Sequence, residues 1–292
     1  MSRTLPDLEV AGSVALITGA AGGMGEHLAK GLARRGGDVV LLDRDADGLA
    51  RVAAEIGAQT PAATVTTYAV DLADRAATDA IIARVLGAHP RIDLLLNNAG
   101  VALGGTFQQT APEDFDWLLE INLLAPVRIT RAVLPVMLEG GGGQVVNTSS
   151  LFGLVGPAGQ SAYATSKFGI RGFSESLRSE LASLGAPVGV TSVHPGGIRT
   201  NIAKNARVGS EVDPAEAARH QKAFAAMLSY PAEQAAEEII EAAVARKPRL
   251  LIGRDAKALD VLARVTPGHY WGVMERSMAR VTQLKTRRLA RR

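Results

Sequence analysis

Ser13-Val14-Ala15-Leu16-Ile17-Thr18-Gly19-Ala20-Ala21-Gly22-Gly23-Met24-Gly25 runs from an unbroken apolar segment into a cluster of glycines. An apolar run this short, without alternation, predicts a strand over Ser13–Thr18 covered on both faces. The residues that follow, Met24–Arg35, have helical spacing. A glycine between them permits a tight turn, and another lets the backbone come close to a ligand. The helix start adds unpaired N–H groups and the positive end of a dipole, which together suit the pyrophosphate of a dinucleotide. Gly19, Gly23 and Gly25 are not spaced as in the most familiar dinucleotide fingerprint. A merely flexible turn is the competing reading, and the strand before and the helix after argue for a cradle.

Outward from this stretch the pattern repeats. Strands are expected at Asp38–Leu42, Thr64–Val70, Ile92–Leu96, Gln144–Asn147 and Val188–Val193. Helical segments are expected at Ala46–Ile56, Arg75–Leu86, Glu113–Leu138, Ala162–Leu184 and Pro231–Ala245, with a short apolar run at Arg249–Ile252. Strand and helix in alternation imply an α/β fold: a doubly wound parallel sheet of Rossmann type, with helices on both faces and right-handed crossovers. There is no internal repeat or long linker, and the glycines at 140–143 read as a turn. Residues 1–292 are therefore expected to form one domain, carrying a charged segment at about 201–230 and a basic extension at about 259–292.

Composition excludes several functions. The chain has no cysteine, which removes thiol catalysis and cysteine metal sites and fits a reducing cytoplasm, the expected location. The five histidines are scattered without ligand spacing, so no metal is expected. The formal charge of +3 is too small to suggest nucleic acid, and the excess is local, with seven cations against Glu275 in Met274–Arg292. No apolar run reaches the roughly 18 residues of a membrane span. Val10–Ile17 follows Asp7 and Glu9 and precedes glycines, which reads as a buried strand and not as a signal segment. The extension sets Val261, Leu262, Val265, Tyr270, Trp271, Val273 and Met274 beside its cations. Such a helix either lies on an anionic membrane surface or packs on protein; packing, followed by a disordered basic end, is the expectation.

The polar residues that carry chemistry cluster after strands. Asp43 ends the second strand, where a carboxylate binds the adenosine ribose and repels a 2′-phosphate. Arg44, next to it, would pair with that phosphate, so NAD is expected and NADP is the alternative. Tyr163 and Lys167 stand at i and i+4 on one helix face. A free phenol titrates near 10; a nearby ammonium lowers that value, and an oxidised, cationic nicotinamide would act the same way. Alone, such a pair is a common surface feature. Its context is Asn97-Asn98-Ala99-Gly100 after the fourth strand, Asn122 in the next helix, Ser149-Ser150 after the fifth strand, and Pro195-Gly196-Gly197-Ile198-Arg199-Thr200 after the sixth. Open parallel sheets bind ligands beyond these carboxyl ends.

In this order, from Ser13 to Thr200, the motifs resemble the short-chain dehydrogenase/reductase family, in its single-domain branch and with a C-terminal extension. The resemblance implies an NAD(P)-dependent oxidoreductase that moves a hydride between a nicotinamide and a secondary alcohol or ketone. It implies Tyr163 as the acid/base and Ser150, with Ser149 the weaker choice, on the substrate oxygen. Lys167 would lower the Tyr163 pKa and hold the nicotinamide ribose, and Asn122 would support a water relay. Gly19, Gly23, Met24 and Gly25 would form the cradle. Asp71 would meet the adenine, with Leu72 beside it, and Asn98, Ala99 and Gly100 would line the adenosine side. Pro195, Gly196, Ile198 and Thr200 would hold the nicotinamide half.

By the same resemblance, the segment at about 201–230 is a mobile substrate lid, with Ile202, Phe224, Met227 and Leu228 as apolar anchors. Leu103, Leu151, Phe152, Leu154 and Val155 would wall a lipophilic pocket. Two long helical segments would join subunits into a homodimer or homotetramer. The competing functions are an NADP-dependent reductase of fatty or steroidal carbonyls and a cofactor-binding regulator without turnover. A regulator has no need to keep Ser150, Tyr163 and Lys167 together.

Overall fold

The structure is a computed structural model and describes residues 5–272. Seven parallel strands form its central sheet: β1 (Val14–Thr18), β2 (Asp38–Asp43), β3 (Val65–Ala69), β4 (Leu94–Asn97), β5 (Gly143–Thr148), β6 (Val188–Pro195) and β7 (Arg249–Ile252). Their order across the sheet is β7-β6-β5-β4-β1-β2-β3. The chain winds outward from β1 to β3, then returns past β1 to β4 and winds the other way. The register Leu16 beside Val40 on one side and Leu95 on the other fixes this centre. Strand order reverses between β1 and β4, and an open sheet forms its ligand crevice at such a point.

The unbroken apolar strands are explained by their two covered faces. On one face Ile17, Val39 and Leu96 pack with Leu28 and Leu32 of α1 (Gly23–Arg34), Leu49 of α2 (Ala46–Gln59) and Ile239 of α8 (Ala232–Val244). On the other, Leu16, Leu95 and Val145 pack with Ile82 of α3 (Arg75–Ala88), Ile129 and Val133 of α5 (Ala125–Glu139) and Leu181 of α6 (Ser161–Ser183). Asp45 and Asp74 start α2 and α3 by accepting from Gly48 N and Ala77 N, the expected behaviour of aspartate at a helix start.

Four features differ from the sequence expectation or extend it. The helix expected over 113–138 is α4 (Pro112–Leu119) and α5 joined by a π turn at Glu120–Leu124, and π turns widen a helix locally. The short run Arg249–Ile252 is a full edge strand, paired with β6 from Arg249↔Ser192 to Ile252↔Pro195. The charged segment holds α7 (Pro214–Met227) and a short strand, Arg207–Val208, which pairs with Leu103–Gly104. The extension begins as α9 (Arg254–Val265), packed against Leu151 and Val155 through Ala256, Leu259 and Ala263. Val273, Met274 and the basic end lie outside the described residues.

Candidate active site

The cradle is built where β1 and β4 end side by side. Thr18 Oγ1 accepts from the N–H groups of Asn98 and Ala99, both at 3.1 Å. Asn98 Nδ2 donates back to the Thr18 and Gly19 carbonyls. Gly19 has φ +68°, and a Cβ there would stand 2.8 Å from Ala99 Cα. A Cβ on Gly25 would stand 1.9 Å from the Gly19 carbonyl oxygen, so the helix start is pressed onto the loop. No side chain caps α1; Gly25 N donates to the Gly22 carbonyl at 3.1 Å, which leaves the N–H groups of Gly23 and Met24 for a ligand. Asp43 accepts from Ala21 N at 3.0 Å and Asp45 N at 3.1 Å. Each carboxylate oxygen keeps further acceptor capacity. The exposed Arg44 follows it.

Beyond β5, Ser149 and Ser150 divide the work. The buried Ser149 donates to the Lys167 carbonyl at 2.7 Å, tying the strand end to α6. Ser150 Oγ accepts from Phe152 N at 3.1 Å and lines the same cavity as the Tyr163 phenol. Lys167, one helical turn after Tyr163, is buried and donates from Nζ to the Thr148 carbonyl at 3.0 Å. The ammonium stands 5.6 Å from the centre of the Tyr163 ring, whose other neighbour is Phe152, edge-on at 6.1 Å.

Burial pushes the Tyr163 phenol up, and the neighbouring Ser150 hydroxyl opposes that shift. Burial also pushes Lys167 down to about 8. Loss of solvent dominates at both groups, and Lys167 is not among the causes acting on the phenol.

The Asn122 side chain is held by its neighbours. Its amide is engaged with Val101, accepting from the N–H at 2.8 Å and donating to the carbonyl at 2.9 Å, and it also reaches Ser166 Oγ. It fixes the chain after β4 against α6 from behind the cavity wall. His194 is fully buried, and burial lowers it to about 4, so it is neutral. Nδ1 lies 3.2 Å from the Ser150 carbonyl, which only accepts, so Nδ1 carries the proton and Nε2 accepts from Ser192 Oγ at 3.1 Å. His194 therefore supports the Ser150 backbone.

A cavity of about 1050 Å3 runs from the cradle to Tyr163 and Lys167. Of the residues singled out in the sequence, Gly19, Gly23, Met24, Asp43, Arg44, Asp71, Leu72, Asn98, Ala99, Gly100, Ser150, Pro195, Gly196, Ile198 and Thr200 line it as well. Gly25 and Asn122 do not; both act from behind the wall. Leu151, Phe152, Ile202, Phe224, Met227 and Leu228 supply apolar lining. Leu103, Leu154 and Val155 are buried elsewhere, Leu103 with Leu118 and Ala162, and Val155 with Ala256. Trp117, Gln160, Asn205, Arg207 and Asp255 also line the cavity and were missed. Arg207 stacks over Trp117 at 3.6 Å and pairs with Asp114 at 2.9 Å, a contact between distant segments that leaves no local pattern.

An uncapped helix start, a glycine-cleared cradle and a carboxylate at the end of β2 fit an adenine dinucleotide. Half-buried Ser150 and Tyr163 beside the buried Lys167 at the far end of the same cavity make this an oxidoreductase fold with a nicotinamide-cofactor site. The chain belongs to the short-chain dehydrogenase/reductase family: the model for short chain dehydrogenases matches residues 13–211. It is 38% identical over 277 residues to the Mycobacterium tuberculosis protein named oxidoreductase SadH, covering 92% of this chain and 96% of that one. A short-chain dehydrogenase/reductase from Burkholderia phymatum in complex with NAD superposes with a TM-score of 0.82 at 28% identity, covering 89% of this chain and 95% of that one. A short-chain dehydrogenase from Sphingobium yanoikuyae in complex with NADPH gives 0.72 at 28% identity, over 90% and 95% of the two chains.

Proposed function

We propose that this protein is an NAD-preferring dehydrogenase/reductase of lipophilic secondary alcohols and ketones, with Ser150, Tyr163 and Lys167 at its reacting centre. The observation that carries the reading is that Ser150, Tyr163 and the buried Lys167 line one cavity with the cradle. The bound nicotinamide supplies or receives the hydride. Ser150 orients the substrate oxygen. In reduction Tyr163 gives its phenolic proton to that oxygen; in oxidation the phenolate takes the hydroxyl proton. Burial favours the neutral phenol, so Tyr163 is set to donate, and the oxidative direction needs added positive charge in the cavity. Asn122 and His194 hold the frame, through Val101 and the Ser150 carbonyl.

Ile202, Phe224, Met227 and Leu228 support a lipophilic substrate. Asp43 supports NAD, since a 2′-phosphate beside its carboxylate has no compensation, while Arg44 is the one feature that favours NADP. A panel of alcohols and ketones, followed through the absorbance of reduced cofactor with NAD(H) and NADP(H), tests both readings. The expected result is turnover of apolar secondary alcohols or ketones, with tighter binding of NAD than of NADP. Tighter NADP binding would show that Arg44 prevails, and no turnover across the panel would favour the regulator.

We also propose a cytoplasmic homodimer or homotetramer with closed symmetry. The 28-residue helical stretch Pro112–Glu139 is long and apolar enough to cross a membrane, with an 18-residue window of mean hydropathy 1.4. It packs instead beside α3 and α6 and carries the Arg128–Glu120 ion pair. Leu124 on this stretch and Phe168 on α6 remain exposed at 45% and 41%, apolar surface suited to a second copy. Light scattering should give a dimer or tetramer mass; a monomer mass independent of concentration would contradict this.

A further inference from the structure

Asp255 stands in the first turn of α9, beyond the residues matched by the family model. Its Oδ2 accepts from the backbone N–H of Gly197 at 2.8 Å. Its Oδ1 fills space that two glycines leave open. A Cβ on Gly196 would stand 2.1 Å from that oxygen, and one on Gly253, at φ +91°, would stand 2.4 Å from it. Asp255 is itself exposed, and its carboxylate still occupies the space these glycines leave. Gly196 N donates to the Ile252 carbonyl at 2.9 Å, so the Pro195–Gly197 turn is held from the β7–α9 junction twice.

The anchor is itself fixed. Ala256 is fully buried against Leu151 and Val155, with Leu259, Ala263 and Tyr270 packed around them. The Tyr270 hydroxyl accepts from Gly156 N at 2.9 Å. The turn that Asp255 holds lines the cofactor cavity and leads into Ile198 and Thr200. Thr200 lies over Gly23 of the cradle, where a Cβ would stand 3.2 Å from Thr200 Cγ2. Two adjacent glycines left untethered would sample many backbone conformations, and a dinucleotide would have to order them on binding.

We propose that Asp255 is a positioning residue for the nicotinamide cofactor: through the Gly197 N–H it holds the Pro195–Gly197 turn in its binding form and makes the C-terminal helix part of the cofactor site. The test is titration of the full chain with NADH and NADPH, read by cofactor fluorescence without substrate, so the outcome is independent of the substrate class proposed above. Asp255→Ala should weaken binding of the preferred cofactor about fivefold to tenfold, the loss expected for one charge-assisted hydrogen bond. Its cofactor KM should rise in parallel, with kcat at saturating cofactor within about twofold of wild type, because the tether acts on binding and not on the proton transfer. Asp255→Asn keeps an acceptor oxygen and should restore the affinity.

Asp255→Ser, too short to reach Gly197, serves in place of alanine if Asp255→Ala does not fold. Cofactor affinity in the alanine or serine variant equal to wild type would overturn the proposal. So would an asparagine variant as weak as alanine.

Discussion

Tyr163→Phe lowers turnover by at least about a hundredfold, the lower range for loss of a general acid/base, while cofactor affinity and melting temperature stay near wild type. The substitution removes a single oxygen. The ring remains in its contact with Phe152 and beneath the Lys167 ammonium, so packing is conserved. What is lost is the phenolic oxygen with its proton, on the cavity wall shared with Ser150. Steady-state kinetics in both directions, with cofactor dissociation measured separately, checks this. A proportionate fall in cofactor affinity would show that the change acted on binding and not on proton transfer. Near-normal turnover would remove Tyr163 from the acid/base role.

Gly25→Ala has the second large effect, expected on cofactor binding. A Cβ at this position would lie 1.9 Å from the Gly19 carbonyl oxygen and 2.7 Å from its carbon. Both are backbone atoms of a turn already tied to Asn98, so neither can move without opening the cradle. Overpacking of this kind costs about 1–3 kcal/mol, and α1 must shift away from the loop to relieve it. The cofactor dissociation constant should rise at least about tenfold, equivalent to 1.4 kcal/mol. Gly87→Ala is the matched control: it lies in α3, and a Cβ there meets nothing within 4 Å. Alanine there should leave binding unchanged and stability equal or higher. Equal cofactor affinity in Gly25→Ala and wild type would show that the helix start does not bear on the site.

The sheet was legible because burial on both faces leaves a plain signal: β1, β2 and β4 are runs of apolar residues with few alternatives. β7 was visible as an apolar run, but its place beside β6 depends on pairing across more than fifty residues of chain, which no local pattern encodes. The π turn at Asn122 was also hidden, since its residues have ordinary helix-forming character. Residues that line the cavity from the strand ends were readable as motifs, because glycine, serine and asparagine in those places have narrow physical uses. Arg207 and Asp255 were not. Each acts by meeting a distant partner, Trp117 in one case and Gly197 in the other, and looks in sequence like an ordinary surface charge. Sequence spacing placed an ammonium near the phenol, whereas burial, which only the fold determines, governs both groups.

The central claim is that Ser150, Tyr163 and Lys167 serve hydride transfer to a nicotinamide bound in the same cavity. It is tested most directly with a secondary alcohol from the substrate panel that carries deuterium on its hydroxyl-bearing carbon. The reduced cofactor is then recovered and analysed by mass spectrometry and NMR. The predicted result is one deuterium at nicotinamide C4, on a single face of the ring, formed by the wild type and at least about a hundredfold more slowly by Tyr163→Phe. Reduced cofactor without the label, or label transferred equally fast by the phenylalanine variant, would contradict the account.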